Sequence, residues 1–450
     1  MQKAQMMKLE DYLQLHATQS PAKVAVCSGT QCITYGELWQ QVQHKAAQMQ
    51  CRGCIVPFRA TQDAGFLITY FAIHLAGGVA MPLEADLPDS RLDELRRFAD
   101  AEASHLPAEA ADVLFTTGTT GRSKGVVVSH RAIIADAENL IGAQHYHPDL
   151  NFLIAGPLNH IGSLSKVYPV VVTGGSLTIL SGMKDLNAFF DAIDRAEGTV
   201  GTFLVPASVR MLLAFASKRL PEYRDKIELI ETGAAPIMPS DARRLREALP
   251  RTRLYNTYAS TETGIIATHN FNDGNPDNCD ASCVGRAMRH SSVTITPDGR
   301  VACHGATLMS GYLGDPDLTA SVLTGDTLIT ADLGMLDSEH RLHLKGRADD
   351  IINVGGYKID PVEVESAAAA LPMVAECMCM ASEHPVIGTV LKLLVVPAAG
   401  AAFSPREIAM ALKKQLPAHK IPSQYAQVDA IPRTYNGKPM RRAANNILKK

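Results

Sequence analysis

The sequence predicts an α/β protein: a large N-terminal domain of layered α/β subdomains with a β-rich piece, followed by a small α+β C-terminal domain. Three observations lead there. Short apolar, strand-like runs alternate with helical patterns over residues 20–90 and again from Phe152 to about Tyr258, as expected of parallel sheet covered by helices. Past about residue 284 the texture changes to short strands joined by tight turns. The segment from residue 347 onward then holds its own helices and strands, enough for a separate core. A chain of 450 residues also exceeds what one compact core usually holds.

Taken in order, Val24-Ala25-Val26 reads as a strand, and Thr34 as the N-cap of a helix opening at Tyr35-Gly36-Glu37-Leu38. Phe66 to Leu75 is helical, and Gly77-Gly78-Val79-Ala80-Met81-Pro82 is a turn into a buried strand. Phe152-Leu153-Ile154-Ala155, Ser176-Leu177-Thr178-Ile179-Leu180 and Leu229-Ile230-Glu231-Thr232 are strands between helical stretches. Val293–Thr296, Pro297-Asp298-Gly299 and Arg300–Cys303 form a β-hairpin with a short Gly-containing turn. Helices over Pro361–Leu371 and Pro405–Leu416, with strands around Glu376–Ala381 and Leu391–Val396, complete the C-terminal part. The division falls at Gly346, giving domains 1–346 and 347–450. There is no internal repeat and no low-complexity segment.

Composition narrows the function. Hydrophobic residues are 46% and charged residues 20%, ordinary for a globular enzyme. A net charge of −3 gives no general attraction to nucleic acid or anionic lipid, and the basic tail Arg441, Arg442, Lys449, Lys450 reads as a solvated end. Neither a signal-peptide h-region nor a bilayer-spanning apolar run is present, so a cytoplasmic protein is expected. The 9 cysteines include Cys51/Cys54, Cys279/Cys283 and Cys377/Cys379. They lack the paired spacing of a zinc site and the context of a redox motif. The expectation is reduced, partly buried thiols.

The densest chemistry lies in Phe115-Thr116-Thr117-Gly118-Thr119-Thr120-Gly121-Arg122-Ser123-Lys124-Gly125. Glycines let backbone N–H groups approach phosphate oxygens, hydroxyls add donors, and lysine adds a point charge. A P-loop kinase is the rival, but Ser123 and Gly125 flank Lys124 where G-x-x-x-x-G-K-[ST] is required. A plain Gly/Thr-rich surface loop is the bland alternative.

This segment is similar to the phosphate-binding loop of the adenylate-forming superfamily: acyl-CoA synthetases, adenylation domains of nonribosomal peptide synthetases, and luciferases. Ser123 stands where that family usually has proline. The resemblance extends over nearly the whole chain. In Tyr255-Asn256-Thr257-Tyr258-Ala259-Ser260-Thr261-Glu262-Thr263-Gly264 it implies that Tyr258 stacks on adenine, Thr261 contacts phosphate, and Glu262 ligates Mg²⁺, with Asn256 in the nucleotide site. Gly233-Ala234-Ala235-Pro236 resembles the loop between adenine and the acyl pocket. Asp332, preceded by Ala331 where glycine is usual, resembles the ribose-binding aspartate. Gly346 to Glu365 resembles the hinge motif, implying Arg347 on ribose or phosphate, Asp349 as pivot of a mobile C-terminal domain, and Gly356 beside the pantetheine channel; Lys358 matches a position that is often basic. Pro432 to Arg442 resembles the loop carrying the catalytic lysine, here Lys438.

The implied function is ATP-dependent activation of a small carboxylic acid to acyl-AMP, with Mg²⁺, and then transfer to the thiol of coenzyme A. His160 and Ile161 fall at the mouth of the acyl pocket. Ile161 stands where amino-acid-activating members carry an aspartate; an α-ammonium buried beside isoleucine lacks a counter-charge, which disfavours an α-amino acid. The phosphate loop comes early, so an abbreviated N-terminal part is expected, as is a stand-alone enzyme with nothing carrier-like after Lys450. The pattern resembles compact aryl- or succinylbenzoate-type CoA ligases. An enzyme loading an acyl carrier protein, and a nucleotide-binding module without catalysis, are the alternatives; the presence of Glu262 and Lys438 speaks against the second.

Overall fold

The computed structural model describes residues 7–116, 124–273, 280–354, 357–384, 388–433 and 440–441. Two sheets organise the part before residue 346. In the larger, the strands Val24–Ser28, Ser176–Ile179, Leu150–Ile154, Thr199–Phe203, Ile227–Gly233 and Arg253–Ser260 lie side by side and parallel. From Arg253–Ser260 outward the same sheet continues antiparallel, through Gly264–Asn270, Cys283–Ala287, Leu342–Arg347, Thr327–Leu336, Arg300–Gly305 and Ser291–Ile295. The β-rich piece is therefore an extension of the α/β sheet. The second sheet runs Gly311–Tyr312, Lys124–Ser129, Ala110–Thr116, Val79–Leu83, Ile55–Arg59.

Local sequence explains these elements. Leu150–Ile154 and Val79–Leu83 are buried at every position, as strands covered on both faces must be. Thr34 caps its helix as expected: its side chain accepts from Glu37 N, while Glu37 reaches back to Thr34 N. In the expected hairpin, Val293 faces Cys303, and Gly299 supplies φ of +85° at the turn. The helix Ile161–Thr173 stops at Gly174, whose φ of +73° suits a left-handed cap.

The C-terminal part has its own core of Ile359, Val364, Leu393, Ile408 and Leu412. It holds the helices Pro361–Ala369 and Pro405–Leu412 and the strands Val374–His384, Gly388–Pro397 and Gln424–Gln427. The helices are shorter than the sequence pattern suggested and the strands longer. No helix among the described residues is long and apolar enough to cross a membrane.

The expectation that the thiols are reduced fails at one pair. Cys27 and Cys32 form a disulfide because the antiparallel register of Val24–Ser28 with Gln31–Thr34 sets them directly opposite. The other described cysteines are unbridged.

Candidate active site

The carboxyl ends of neighbouring parallel strands carry ligand sites in sheets of this kind. Here Glu231 lies opposite Phe203, and Gly233 opposite Thr257. The loop Gly233-Ala234-Ala235 thus emerges beside Tyr258. The approach is close: a Cβ on Gly233 would sit 2.8 Å from Thr257 O. Ala234 takes φ of +65°, an unfavourable conformation for a residue with a side chain.

Tyr258, Asp332 and Arg347 come together from three strands. The Tyr258 hydroxyl donates to Asp332 Oδ2 at 2.7 Å, and Arg347 Nη1 donates to Asp332 Oδ1 at 2.9 Å. Asp332 and Arg347 are cross-strand partners. Tyr258 is 5% exposed; burial, then the Asp332 charge, push its pKa well above the ordinary value. Burial works against the charge on Arg347, but Asp332, Asp350 and Asp349 outweigh it, and the pKa rises. Each carboxylate oxygen of Asp332 keeps a lone pair, and Arg347 Nε is buried without a partner among the described residues. A polyhydroxylated ring such as ribose matches those vacancies.

Thr261 and Glu262 follow at the end of the same strand as Tyr258. Their turn is fixed by reciprocal bonds: Ser260 N to Thr263 Oγ1 at 3.0 Å, and Thr263 N to Ser260 Oγ at 3.1 Å. Glu262 Oε1 accepts from the Tyr312 hydroxyl at 3.1 Å, and the Lys124 ammonium lies 5.0 Å from the centre of the Tyr312 ring. Burial, with Glu262 beside it, raises the Tyr312 pKa. Tyr312 escaped the sequence reading because it lies in no motif; only pairing of Gly311–Tyr312 with Lys124–Ser129 brings it here. Thr116 faces Lys124 at the loop end of its hairpin.

Other expected residues sit differently. Asn256 is buried, and its Nδ2 donates to Ala281 O at 3.2 Å and Cys283 O at 3.0 Å. Its donors hold the strand Cys283–Ala287, leaving only the side-chain oxygen for a nucleotide. His160 caps the helix Ile161–Thr173, its Nδ1 accepting from Gly162 N at 3.3 Å; Ile161 is 6% exposed in the main core. Asp349 is exposed in the short turn Ala348–Asp350, and Lys358 is exposed. Arg441, previously read as part of a solvated tail, bonds Glu365 Oε2 at 2.6 Å and lies 3.5 Å from Asp350 Oδ2. Burial of Glu365, opposed by Arg441, raises its pKa to about 7. Thr117, Gly118, Thr119, Thr120, Gly121, Gly356 and Lys438 lie outside the described residues.

The model of the AMP-binding enzyme family matches residues 99–313, and that of the AMP-binding enzyme C-terminal domain matches residues 363–438. Indoleacetate–CoA ligase of Aromatoleum aromaticum is 27% identical over 96% of this chain and 96% of its own. Feruloyl-CoA synthase of an Amycolatopsis species is 27% identical over 94% and 96%. The crystal structure of ATP-bound MatB from Rhodopseudomonas palustris superposes with a TM-score of 0.87 at 24% identity, covering 99% of both chains. With both models matched, the chain belongs to the AMP-binding, adenylate-forming enzyme family.

Proposed function

We propose that the chain activates a small aromatic carboxylic acid as its acyl-adenylate and passes the acyl group to the thiol of coenzyme A. The observation that carries this reading is the juxtaposition of Tyr258–Asp332–Arg347 with Glu262–Tyr312–Lys124 at the carboxyl ends of the sheet. One cluster suits a nucleoside and the other its phosphates. Aromatic acids are favoured because two relatives that match nearly end to end are ligases of indoleacetate and ferulate. The buried, apolar Ile161 argues against an α-ammonium group, which needs a counter-charge.

In this scheme the acid's carboxylate attacks the α-phosphorus of ATP in line, and pyrophosphate leaves. Asp332 and Arg347 hold the ribose, and Tyr258 packs the base. Thr116 to Gly121, Thr261 and Lys124 donate to the phosphates, and Lys438 bridges the carboxylate and α-phosphate as charge develops. Only Oε1 of Glu262 is hydrogen-bonded among the described residues, so the carboxylate fits a hard cation. Mg²⁺ held there supplies positive charge to the phosphate oxygens. The C-terminal part then turns about Asp349, withdraws Lys438, and brings the Gly356 side to the mixed anhydride, where thiol attack forms the thioester, breaks the acyl–phosphate C–O bond and releases AMP.

Pyrophosphate release across a panel of acids, with and without coenzyme A, tests this. Aryl acids should give ATP-dependent release and an acyl-CoA. Release without acyl-CoA formation makes a carrier protein the acceptor, and no release with any acid refutes acid activation.

A further inference from the structure

Behind the strand-end cluster lies a buried ion pair that none of the motifs accounts for. Lys166, on the helix Ile161–Thr173, donates to Glu231 Oε1 at 2.7 Å, and both side chains are 1% exposed. Glu231 stands two positions before Gly233 on the strand that ends in the Gly233-Ala234-Ala235 loop. Lys166 lies one helical turn beyond Gly162, on the same face. Phe203 joins the two: its ring centre is 5.3 Å from Lys166 Nζ, and a Cβ on Gly162 would lie 3.2 Å from its Cε1. A Cβ on Gly233 would lie 3.7 Å from the other edge of the ring. Both glycines thus pack against the Phe203 ring, and the ion pair lies buried beside the two segments expected to border the acid.

This pair is incompletely satisfied. Among the described residues, Glu231 Oε2 is buried with no hydrogen-bond partner, and Lys166 makes one hydrogen bond. Tyr146, within electrostatic reach of Glu231, does not supply the missing donor, since its hydroxyl also has no partner among those residues. A buried ion pair is often matched in stability by apolar residues of similar volume, and an unmet buried acceptor adds a further cost. Such a pair has a reason to persist if a ligand completes it.

Building on acid activation as read above, we propose that Lys166 and Glu231 form a polar subsite at the inner end of the acid pocket, selecting acids that carry a hydroxyl group remote from the reacting carboxylate. The hydroxyl donates to Glu231 Oε2 and accepts from Lys166 Nζ, meeting both vacancies without adding charge. A second carboxylate would confront Glu231, and an ammonium would confront Lys166.

The test compares kcat/KM for pyrophosphate release within matched pairs: benzoate and 4-hydroxybenzoate, phenylacetate and 4-hydroxyphenylacetate, cinnamate and 4-hydroxycinnamate. In at least one pair the hydroxylated acid should lead by on the order of 100-fold or more, as at sites built to hydrogen-bond a substrate hydroxyl. Terephthalate and 4-(aminomethyl)benzoate should be poor substrates. The double variant Lys166→Met/Glu231→Leu should bring the ratio close to one, whereas a purely structural pair would depress both acids together and leave the ratio intact. If that variant does not fold, Glu231→Gln, which keeps volume and polarity, should shrink the ratio. Equal use of both members in every wild-type pair, preference for either charged acid, or an unchanged ratio in the folded variants overturns the subsite alone. Absence of release with every acid overturns acid activation as well.

Discussion

At the scale of single residues, the proposed site rests on carboxylates with defined neighbours. Asp332 is fixed by Tyr258 on one oxygen and Arg347 on the other. Asp332→Ala should lower kcat/KM for ATP by on the order of 100-fold, because a charged hydrogen-bonding partner of the ribose is removed; pyrophosphate release at varied ATP checks it. Tyr312 holds Glu262 from behind. Tyr312→Phe keeps the ring and removes the donor, so the Mg²⁺ concentration for half-maximal rate should rise roughly 10-fold, typical of losing an outer-shell partner. An unchanged Mg²⁺ requirement would detach Tyr312 from this role. Thr261, Glu262 and Asp332 were legible in the sequence as candidates because each falls in a motif of fixed residue order. Tyr312, Arg441 and the Lys166–Glu231 pair were not, because each acquires its partner from a distant segment through sheet register or helix packing.

At the scale of elements, local rules predicted well where one short stretch contains both partners. The Thr34–Glu37 capping box is such a case, and Thr34→Ala should cost about 1 kcal/mol of stability, read as a lower denaturant midpoint at constant m-value. The hairpin at Gly299 is another. The Cys27–Cys32 bridge was missed although its residues are close in sequence, since pairing depends on which residues face each other across the turn. Helix ends were overestimated at Leu371 and Leu416 because apolar spacing continues past the point where the backbone turns away. The alternation of strands and helices over 152–258 gave the parallel sheet correctly, since continuous apolar strands between helical runs have few other arrangements.

At the scale of the whole molecule, buried charge makes stability depend on pH. Asp136 is buried and its pKa is raised from 3.8 to about 7 by burial, against the Ile265 N–H bond and Lys166. The folded state thus binds the proton more tightly than the unfolded chain. Its contribution is fully present below the ordinary carboxylate value of 3.8 and is lost as pH rises through about 7. Asp136→Asn, which keeps the acceptor for Ile265 N, should flatten stability between those pH values; an unaltered slope in chemical denaturation would show that Asp136 does not carry the dependence. The proposed domain motion makes a separate prediction. Lys438→Ala should abolish adenylation yet spare thioester formation from supplied acyl-adenylate, and equal loss of both would remove the case for two conformations.

The strand Arg253–Ser260 is the seam where the large sheet changes direction, with Ile227–Gly233 parallel on one side and Gly264–Asn270 antiparallel on the other. The proposed acid-binding wall of Phe203, Glu231 and Gly233 belongs to the parallel half, while Asp332 and Arg347 belong to the antiparallel half. Diversification can therefore proceed on one flank alone. Under that assignment, exchange of the segment from His160 to Glu231 between homologues would retarget the acid while leaving Tyr258, Asp332 and Arg347 in place.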